Sequence, residues 1–408
     1  MDVPRPDRSV KVLFDVSSVT LPLSGIGRYA QELARHLPAA GIDEVRYLRG
    51  GRVLSSFDPA CVEPAAPVSR LRQWIKPLLP YKLLLGPYRR RKARTLANSL
   101  RGYNDYIYYS PNFSAPPVSG LSVVTLHDLS VFHFPDLHPR DRVNFLREQI
   151  HHSVDSADCL VTDSGFVRSE LLQLFRLPSE RVIAIPLGVD AAFAPRTPRA
   201  LTPILDGYGL RPGGYLLSVG TIEPRKNLTG LLRAFLQLSP AQRRQCPLVI
   251  AGAYGWNSGA LMEEIRGLHA SGEVLYLDYV PEQHLAALYA GAAVFAYFSF
   301  YEGFGLPVLE AMASGVPVVC SASSALPELC GDSGLLVDPQ DIDAMTAVLK
   351  RALDDKSWRQ STIERGLARS ADYTWQRTTT TLVDVFRRLT AGLGESAKKS
   401  AAKSGVDA

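Results

Sequence analysis

The densest group of chemically active residues lies in the sequence EGFGLPVLE, in which Glu302 and Glu310 flank a glycine-rich turn. Gly303 and Gly305 expose backbone amides beside the first carboxylate, and Pro307 suits the first turn of a helix that carries the second. Such a site can bind hydroxyl groups from two sides. The two glutamates could instead be the acid and nucleophile of a retaining glycosidase, whose carboxyl groups lie about 5 to 5.5 Å apart. Their spacing in sequence leaves both interpretations open.

A second motif, GTIEPRKN, places Arg225 and Lys226 directly before an apolar helical pattern. Cations are unfavourable at the amino end of a helix, because the helix dipole is positive there. A bound polyanion removes this conflict, since arginine offers a planar fork to phosphate oxygens and lysine a point charge. We therefore expect a diphosphate clamp here, with a solvated basic loop as the alternative.

Three further sites carry weaker signals. Gly25 and Gly27 bracket the predicted start of a helix, where free amides suit a phosphate, although a plain strand-to-helix turn also explains them. His127 directly follows a predicted strand and is either structural or able to hydrogen-bond a hydroxyl group. Asp341 and Asp343 form an Asp-x-Asp pattern that helix capping explains better than metal binding.

Short apolar runs alternate with amphipathic stretches along the chain, and they predict the strands and helices that must position these residues. This pattern predicts an α/β fold with two parallel sheets. The predicted strands are 11–16, 106–109, 122–126, 159–162 and 182–185, followed by 215–219, 247–251, 274–277, 294–297, 316–320 and 334–337. Ligands of such sheets bind beyond the carboxyl ends of the strands, so we expect the chemistry in loops that face a cleft between two Rossmann-like domains.

The expected domain organisation has a hinge in residues 188–214, which are rich in proline and glycine. An amino-terminal domain covers residues 1–188 and a carboxyl-terminal domain covers residues 189–374. A last helix, 375–393, packs back on the first domain, and a small, polar tail, 394–408, is expected to be disordered.

Charge is unevenly distributed along the 408 residues, whose 45 Lys and Arg and 40 Asp and Glu give a formal charge of +5. Residues 64–104 hold ten cations and no acid, so the rest of the chain is net acidic. Within them, the basic segment (residues 68–101) mixes cations with apolar side chains, which favours an interfacial membrane anchor over a solvated loop. The expected membrane contacts are Arg70, Arg72, Trp74, Lys76, Lys82, Arg89, Arg90, Arg91 and Lys92.

Composition also excludes several classes of protein. With 46% hydrophobic and 21% charged residues, the chain is neither collagen-like nor wholly disordered. Its five cysteines are far apart and odd in number, which predicts buried thiols in a reducing compartment. No nucleic-acid module is recognised, the amino terminus has no signal-peptide pattern, and residues 285–301 are predicted to be a buried helix and strand rather than a membrane span.

Taken together, GTIEPRKN, EGFGLPVLE, IPLGVD and HDL resemble retaining glycosyltransferase family four, whose members have the GT-B fold. The resemblance covers residues 11 to about 389, and within the family it points to mannosyltransferases of bacterial surface-polysaccharide assembly. It implies a cytoplasmic enzyme, peripheral on the inner face of the cell membrane, that needs no metal or other cofactor. The expected substrates are a nucleotide-diphosphate hexose, GDP-mannose or a related GDP-sugar, and a lipid-linked saccharide acceptor.

The resemblance also implies a role for each motif residue. Arg225 and Lys226 would bind the donor diphosphate, and His127 would lie under the donor sugar at its 6-hydroxyl. Glu302, with the backbone amides of Gly303, Phe304 and Gly305, would contact the donor sugar. Glu310 would contact the ribose, and the backbone near Val280 would contact the base. Asp163 and Ser164 would lie on the acceptor side. Gly25 and Gly27 would let phosphate and acceptor approach the first helix.

One departure and two alternatives accompany this hypothesis. Many relatives have arginine where this chain has Thr221, so Arg225 would take over the phosphate contact of the missing residue. A sugar-nucleotide epimerase can share the same two-domain architecture. A non-catalytic scaffold of a polysaccharide assembly complex, docked through its basic segment, is the other alternative.

Overall fold

The computed structural model describes residues 9–21, 23–58, 96, 99–114, 116 and 118–404, with side chains up to residue 392. Residues 68–95, which include all the expected membrane contacts, and Cys61 lie outside the described residues. The other four cysteines, Cys159, Cys246, Cys320 and Cys330, are buried free thiols.

Two sheets form the framework of the molecule. The first has the strand order β3-β2-β1-β4-β5-β6-β7 and is parallel except for the β2–β3 pair. Its strands are β1 (Lys11–Asp15), β2 (Glu44–Arg49), β3 (Arg52–Leu54), β4 (Ile107–Ser110), β5 (Ser122–Leu126), β6 (Cys159–Thr162) and β7 (Val182–Ala184). The second, parallel sheet has the order β10-β9-β8-β11-β12-β13. It contains β8 (Leu216–Val219), β9 (Leu248–Ala251), β10 (Val274–Leu277), β11 (Val294–Tyr297), β12 (Val318–Ser321) and β13 (Gly334–Val337).

Helices cover both sheets, as crossover connections between parallel strands require. In the first half they are α1 (Gly25–His36), α2 (Ser130–His133), α3 (Arg140–Ser156) and α4 (Gly165–Phe175). In the second half they are α5 (Pro198–Leu205), α6 (Leu228–Leu236), α7 (Pro240–Gln245), α8 (Gly259–His269), α9 (Glu282–Ala290), α10 (Leu306–Ala313), α11 (Leu326–Cys330), α12 (Ile342–Asp354), α13 (Lys356–Ser370) and α14 (Trp375–Ser404). None of the described helices is long and apolar enough to cross a membrane.

All eleven predicted strands are present, and the predicted fold class is confirmed. Two strands, β2 and β3, were not predicted, because their sequences EVRYLR and RVL mix charged with apolar residues at a half-exposed sheet edge. The predicted hinge also differs from the structure, since it contains the helix α5, which begins at Pro198 and tolerates Pro203 in its interior.

The last helix, α14, returns to the first domain. Phe386 is fully buried there and packs edge-on against Tyr109 of β4, with ring centroids 5.5 Å apart. The helix runs to Ser404, so residues 394–404 are helical rather than disordered as expected. Their alanine, lysine and glutamate residues have high helix propensity, which outweighs the polar composition that suggested disorder.

The chain crosses between the domains twice, and the two crossings touch. Val189 and Thr374 form a parallel β-bridge, and the Val189 amide donates to the Tyr373 carbonyl at 3.1 Å. A Cβ at Gly188 would lie 2.1 Å from the backbone nitrogen of Trp375, so this approach requires glycine. The two crossings are therefore joined by a direct backbone contact.

Candidate active site

The two strongest sequence motifs meet at the carboxyl ends of β8 and β11, which are neighbours at the point where the strand order of the second sheet reverses. Lys226 follows β8, Glu302 follows β11, and Lys226 Nζ lies 2.6 Å from Glu302 Oε1. Arg225 NH1 lies 3.2 Å from Glu302 Oε2. The backbone joins the loops as well, since the Phe300 amide donates to the Arg225 carbonyl at 2.9 Å. The clamp and the first glutamate thus form one cluster.

A left-handed residue shapes the clamp loop. Asn227 has φ +51°, a region that asparagine tolerates better than most residues, and caps α6 by accepting from the Gly230 amide at 3.2 Å. Its side-chain amide donates to the Pro339 carbonyl at 2.7 Å. These two bonds hold the turn that places Arg225 and Lys226 ahead of the helix instead of within it.

Buried charges in the cluster compensate one another. Burial alone would raise the pKa of Glu302, but Lys226 and Arg225 lower that pKa to about 2. Burial and the Arg225 charge lower the pKa of Lys226, whereas Glu302 opposes that change. Arg225 also contacts Glu223 at 2.6 Å, and Lys226 donates to Tyr297 Oη at 2.7 Å. Glu302 is therefore paired with the two cations, Lys226 and Arg225, to which an incoming diphosphate would bind.

His127 is already fully hydrogen-bonded by its own domain. Nδ1 lies 2.7 Å from Asp163 Oδ2, and Nε2 lies 2.7 Å from the Pro111 carbonyl. Burial would lower the pKa of His127, but the Asp163 carboxylate reverses this effect and raises it. Asp163, expected on the acceptor side, is thus the buried partner of His127. For His127 to contact a sugar hydroxyl as expected, the hydroxyl would have to replace one of these two hydrogen-bond partners.

The glycine-rich turn touches the opposite domain closely. Ser164, which caps α4, donates to the Gly303 carbonyl at 2.7 Å. A Cβ at position 303 would lie 1.8 Å from the His127 carbonyl oxygen, so glycine is required for the domains to meet here. The Glu328 carboxylate accepts from the Gly165 and Phe166 amides at 2.9 Å each, across the same boundary.

Tyr301 extends from the glutamate loop into the first domain. Its hydroxyl donates to Glu170 Oε2 at 2.5 Å and accepts from the Leu129 amide at 3.2 Å. His133 stacks on its ring at 5.9 Å and lies 3.0 Å from Glu170. Tyr301 is only 2% exposed, so these contacts depend on the closed arrangement of the two domains.

The second glutamate has a partner that the sequence did not reveal. Glu310 is buried on α10 and pairs with Arg28 of α1, which also lies 3.4 Å from Glu282. Burial raises the pKa of Glu310, against the opposing effect of Arg28. Arg28 follows the predicted glycine pair Gly25 and Gly27, so the first helix faces the second domain.

Three further residues singled out in the sequence, Val280, Phe304 and Asp341, lie in the second half of the chain. Val280 is nearly buried in the loop after β10, and Phe304 packs against Tyr373 with ring centroids 5.9 Å apart. Asp341 caps α12, because its Oδ1 accepts from the Ala344 amide at 2.8 Å. The capping interpretation of this aspartate is therefore confirmed.

Known proteins share this architecture. Residues 23–193 match the model of Glycosyltransferase Family 4, and residues 212–369 match the model of glycosyl transferases group 1. The chain therefore belongs to the family 4 glycosyltransferases, and it is an enzyme of the GT-B fold. It is 40% identical over 381 residues to O-antigen chain mannosyltransferase B of Escherichia coli. The aligned region covers 93% of this chain and 100% of that relative.

Solved structures agree on the fold. Sucrose-phosphate synthase from Thermosynechococcus elongatus superposes with a TM-score of 0.69 at 22% identity, covering 94% of this chain and 100% of that one. WaaG, a glycosyltransferase involved in lipopolysaccharide biosynthesis, superposes with a TM-score of 0.69 at 16% identity, covering 92% and 99%. At these identities the likeness concerns the fold alone.

Proposed function

We propose that this enzyme is a retaining mannosyltransferase that moves a hexose from a GDP-sugar to a lipid-linked saccharide in surface-polysaccharide synthesis. The observation that carries the proposal is the contact of Lys226 and Arg225 with Glu302 at adjacent strand ends. The name of the relative that is 40% identical over nearly the whole chain supports the choice of mannose.

Binding follows from the charges of the cluster. A donor diphosphate would displace Glu302 from Lys226 and Arg225, because phosphate oxygens offer these cations more charge than one carboxylate. The released Glu302 would accept hydrogen bonds from donor-sugar hydroxyls. Glu310, which pairs with Arg28, would bind the ribose. The two cations supply the positive charge that the departing diphosphate needs, so we propose that transfer needs no metal.

The reaction would be a substitution on one face of the sugar, as the family resemblance implies. The acceptor oxygen forms the new bond to C1, the bond from C1 to the phosphate oxygen breaks, and that phosphate oxygen takes the acceptor proton. The products are the glycosylated acceptor and GDP. Each role of a protein residue in this scheme is binding or charge stabilisation.

A retaining glycosidase fits the site less well. Its general acid must be protonated near neutral pH, yet the pKa of Glu302 is held at about 2 by two cations. Glu310 is committed to Arg28. Glu302 is therefore ionised and cannot act as the general acid.

The decisive variant is Lys226→Ala. We expect it to abolish transfer while the fold persists, with the exposed Lys350→Ala on α12 as a matched control. Transfer of radiolabelled mannose to an isolated lipid-linked acceptor measures the effect. Undiminished turnover by Lys226→Ala would overturn the assignment of the clamp.

Donor class and location need their own tests. A thermal-shift screen over GDP-, UDP- and ADP-sugars should show selective stabilisation by the GDP-sugar.

We further propose that the enzyme is cytoplasmic and binds the inner membrane face through its basic segment, since this segment combines cations with apolar side chains. Flotation with anionic liposomes at low salt tests this proposal, and failure to bind would exclude it.

A further inference from the structure

His138 is a buried histidine at the boundary between the two domains. It is 5% exposed and directly follows the short helical turn of residues 135–137. Among the described residues, neither of its ring nitrogens has a hydrogen-bond partner. Leaving buried polar atoms unsatisfied reduces stability, so such a site suggests a ligand that completes it.

The contrast with His127 makes this feature specific. Both ring nitrogens of His127 are bonded within the first domain, to Asp163 and to the Pro111 carbonyl. Of these two buried imidazoles, His138 is the one whose ring nitrogens have no hydrogen-bond partner among the described residues.

The surroundings of His138 come from both domains. The Trp256 ring of the second domain lies against it, with centroids 5.9 Å apart and an interplanar angle of 32°. Trp256 is fixed in place, because its indole N–H donates to the Leu137 carbonyl at 2.9 Å and the Arg142 guanidinium lies 5.0 Å from its ring. Trp256 therefore packs against His138 without using its ring nitrogens.

The loop that carries Trp256 also joins the clamp motif, because the Gly255 amide donates to the Ile222 carbonyl at 3.1 Å. The charges of Asp128 and Arg225 both act on the His138 imidazole. The pKa of His138 is lowered to about 4, mainly by burial and also by the charges of Arg225 and Arg142, whereas the charge of Asp128 opposes this change. At neutral pH the ring is uncharged, so one nitrogen donates and the other accepts. A hydroxyl group, which also donates and accepts, is complementary to it.

We propose that His138 binds a saccharide hydroxyl beside the diphosphate clamp, on either the donor hexose or the acceptor. This inference rests on the proposed function, because it requires a sugar in the cleft. His138 would be a substrate-binding residue that orients the sugar relative to the phosphate held by Arg225.

Two variants test the hydrogen bond separately from the shape of the side chain. His138→Phe keeps a flat ring against Trp256 but cannot hydrogen-bond, whereas His138→Gln keeps a donor and an acceptor. We expect His138→Phe to lose about tenfold in kcat/KM, the order expected for one hydrogen bond, and His138→Gln to lose clearly less. The exposed His269→Phe on α8 serves as control.

The kinetic readouts identify which sugar is bound. A rise in the acceptor KM alone assigns the hydroxyl to the acceptor, while a rise in the donor KM and a slower hydrolysis of the donor without acceptor assign it to the donor hexose. Full activity of His138→Phe would overturn the proposal, as would equal losses in both variants. Should His138→Phe unfold, His138→Gln decides alone: retained activity supports the proposal and lost activity at unchanged Tm refutes it. If the parent enzyme turns over no nucleotide sugar, the proposed function itself fails.

Discussion

Replacing Glu302 by glutamine removes the charge that neutralises Lys226 and Arg225 while it keeps the size of the side chain. In the structure the carboxylate contacts these cations at 2.6 and 3.2 Å, and its side chain is only 9% exposed. The variant should therefore change both the acid stability of the protein and its affinity for nucleotide.

The magnitude for stability follows from the pKa of Glu302, which falls from an ordinary value of 4.5 to about 2 on folding. This difference corresponds to about 3 kcal/mol of folding free energy. Because the pKa in the folded state is the lower one, the contribution is fully present above pH 4.5 and is lost as the pH falls towards 2. Glu302→Gln lacks it, so the two proteins should differ most at neutral pH and converge in acid.

The effect on nucleotide binding has the opposite sign. A diphosphate that enters the parent site must first displace the Glu302 carboxylate, whereas the variant has no charged group at position 302 to displace. If the whole 3 kcal/mol were recovered, GDP would bind on the order of 100-fold more tightly, and we expect a gain of roughly tenfold to 100-fold. Transfer should nevertheless slow, because the variant lacks the Glu302 carboxylate that would bind the donor sugar.

Urea unfolding between pH 7 and pH 2.5 and calorimetric titration with GDP measure the two effects. Asp105→Asn is a suitable control, since it removes a short ion pair with Lys11 at the surface, far from the cleft. Its stability relative to the parent should depend only weakly on pH. The reasoning is refuted if Glu302→Gln binds GDP no more tightly than the parent and differs from it equally at pH 7 and pH 2.5.

Four other variants test the geometry of the cleft. At saturating donor, Glu302→Ala should reduce the rate of transfer more than Glu310→Ala, and the reverse order in steady-state kinetics would exchange their assigned roles. Gly303→Ala should lower kcat/KM by at least about tenfold with little change in nucleotide affinity, because the new Cβ would lie 1.8 Å from the His127 carbonyl and prevent closure. Tyr301→Phe removes two hydrogen bonds across the domain boundary and should hasten limited proteolysis between the domains, whereas an unchanged cleavage rate would show that the hydroxyl does not hold them together.

Most of the fold could be predicted because its strands are short apolar runs buried on both faces. The strands β5, β6, β9, β11 and β12 are entirely buried, and their sequences are apolar almost throughout. The strand β2, which lies next to the edge strand β3, is half-exposed, so its charged residues concealed it. At the carboxyl end, the same polar residues suit a solvated helix and a disordered tail, and the sequence pattern alone did not separate them.

The site was predictable where its residues follow neighbouring strands of one sheet and unpredictable where they pair between the two domains. Arg225, Lys226 and Glu302 follow strands of one sheet, and sheet topology brings such loops together. The pairing of Arg28 with Glu310 joins residues 282 positions apart in different domains, and nothing in the local sequence indicates it. His127 and Asp163 were both identified, but their contact depends on the order of neighbouring strands β5 and β6.

The return of α14 means that the first domain is assembled from two separate parts of the gene. Phe386 and Leu382 fill the same core as Tyr109, so a fragment that ends after β7 would leave that core open. Exchange of whole donor domains between related enzymes should therefore join the chains near residues 189 and 374, where the two crossings touch, and keep the last helix with its own first domain. Recombination at a single junction would separate a helix from the residues against which it packs.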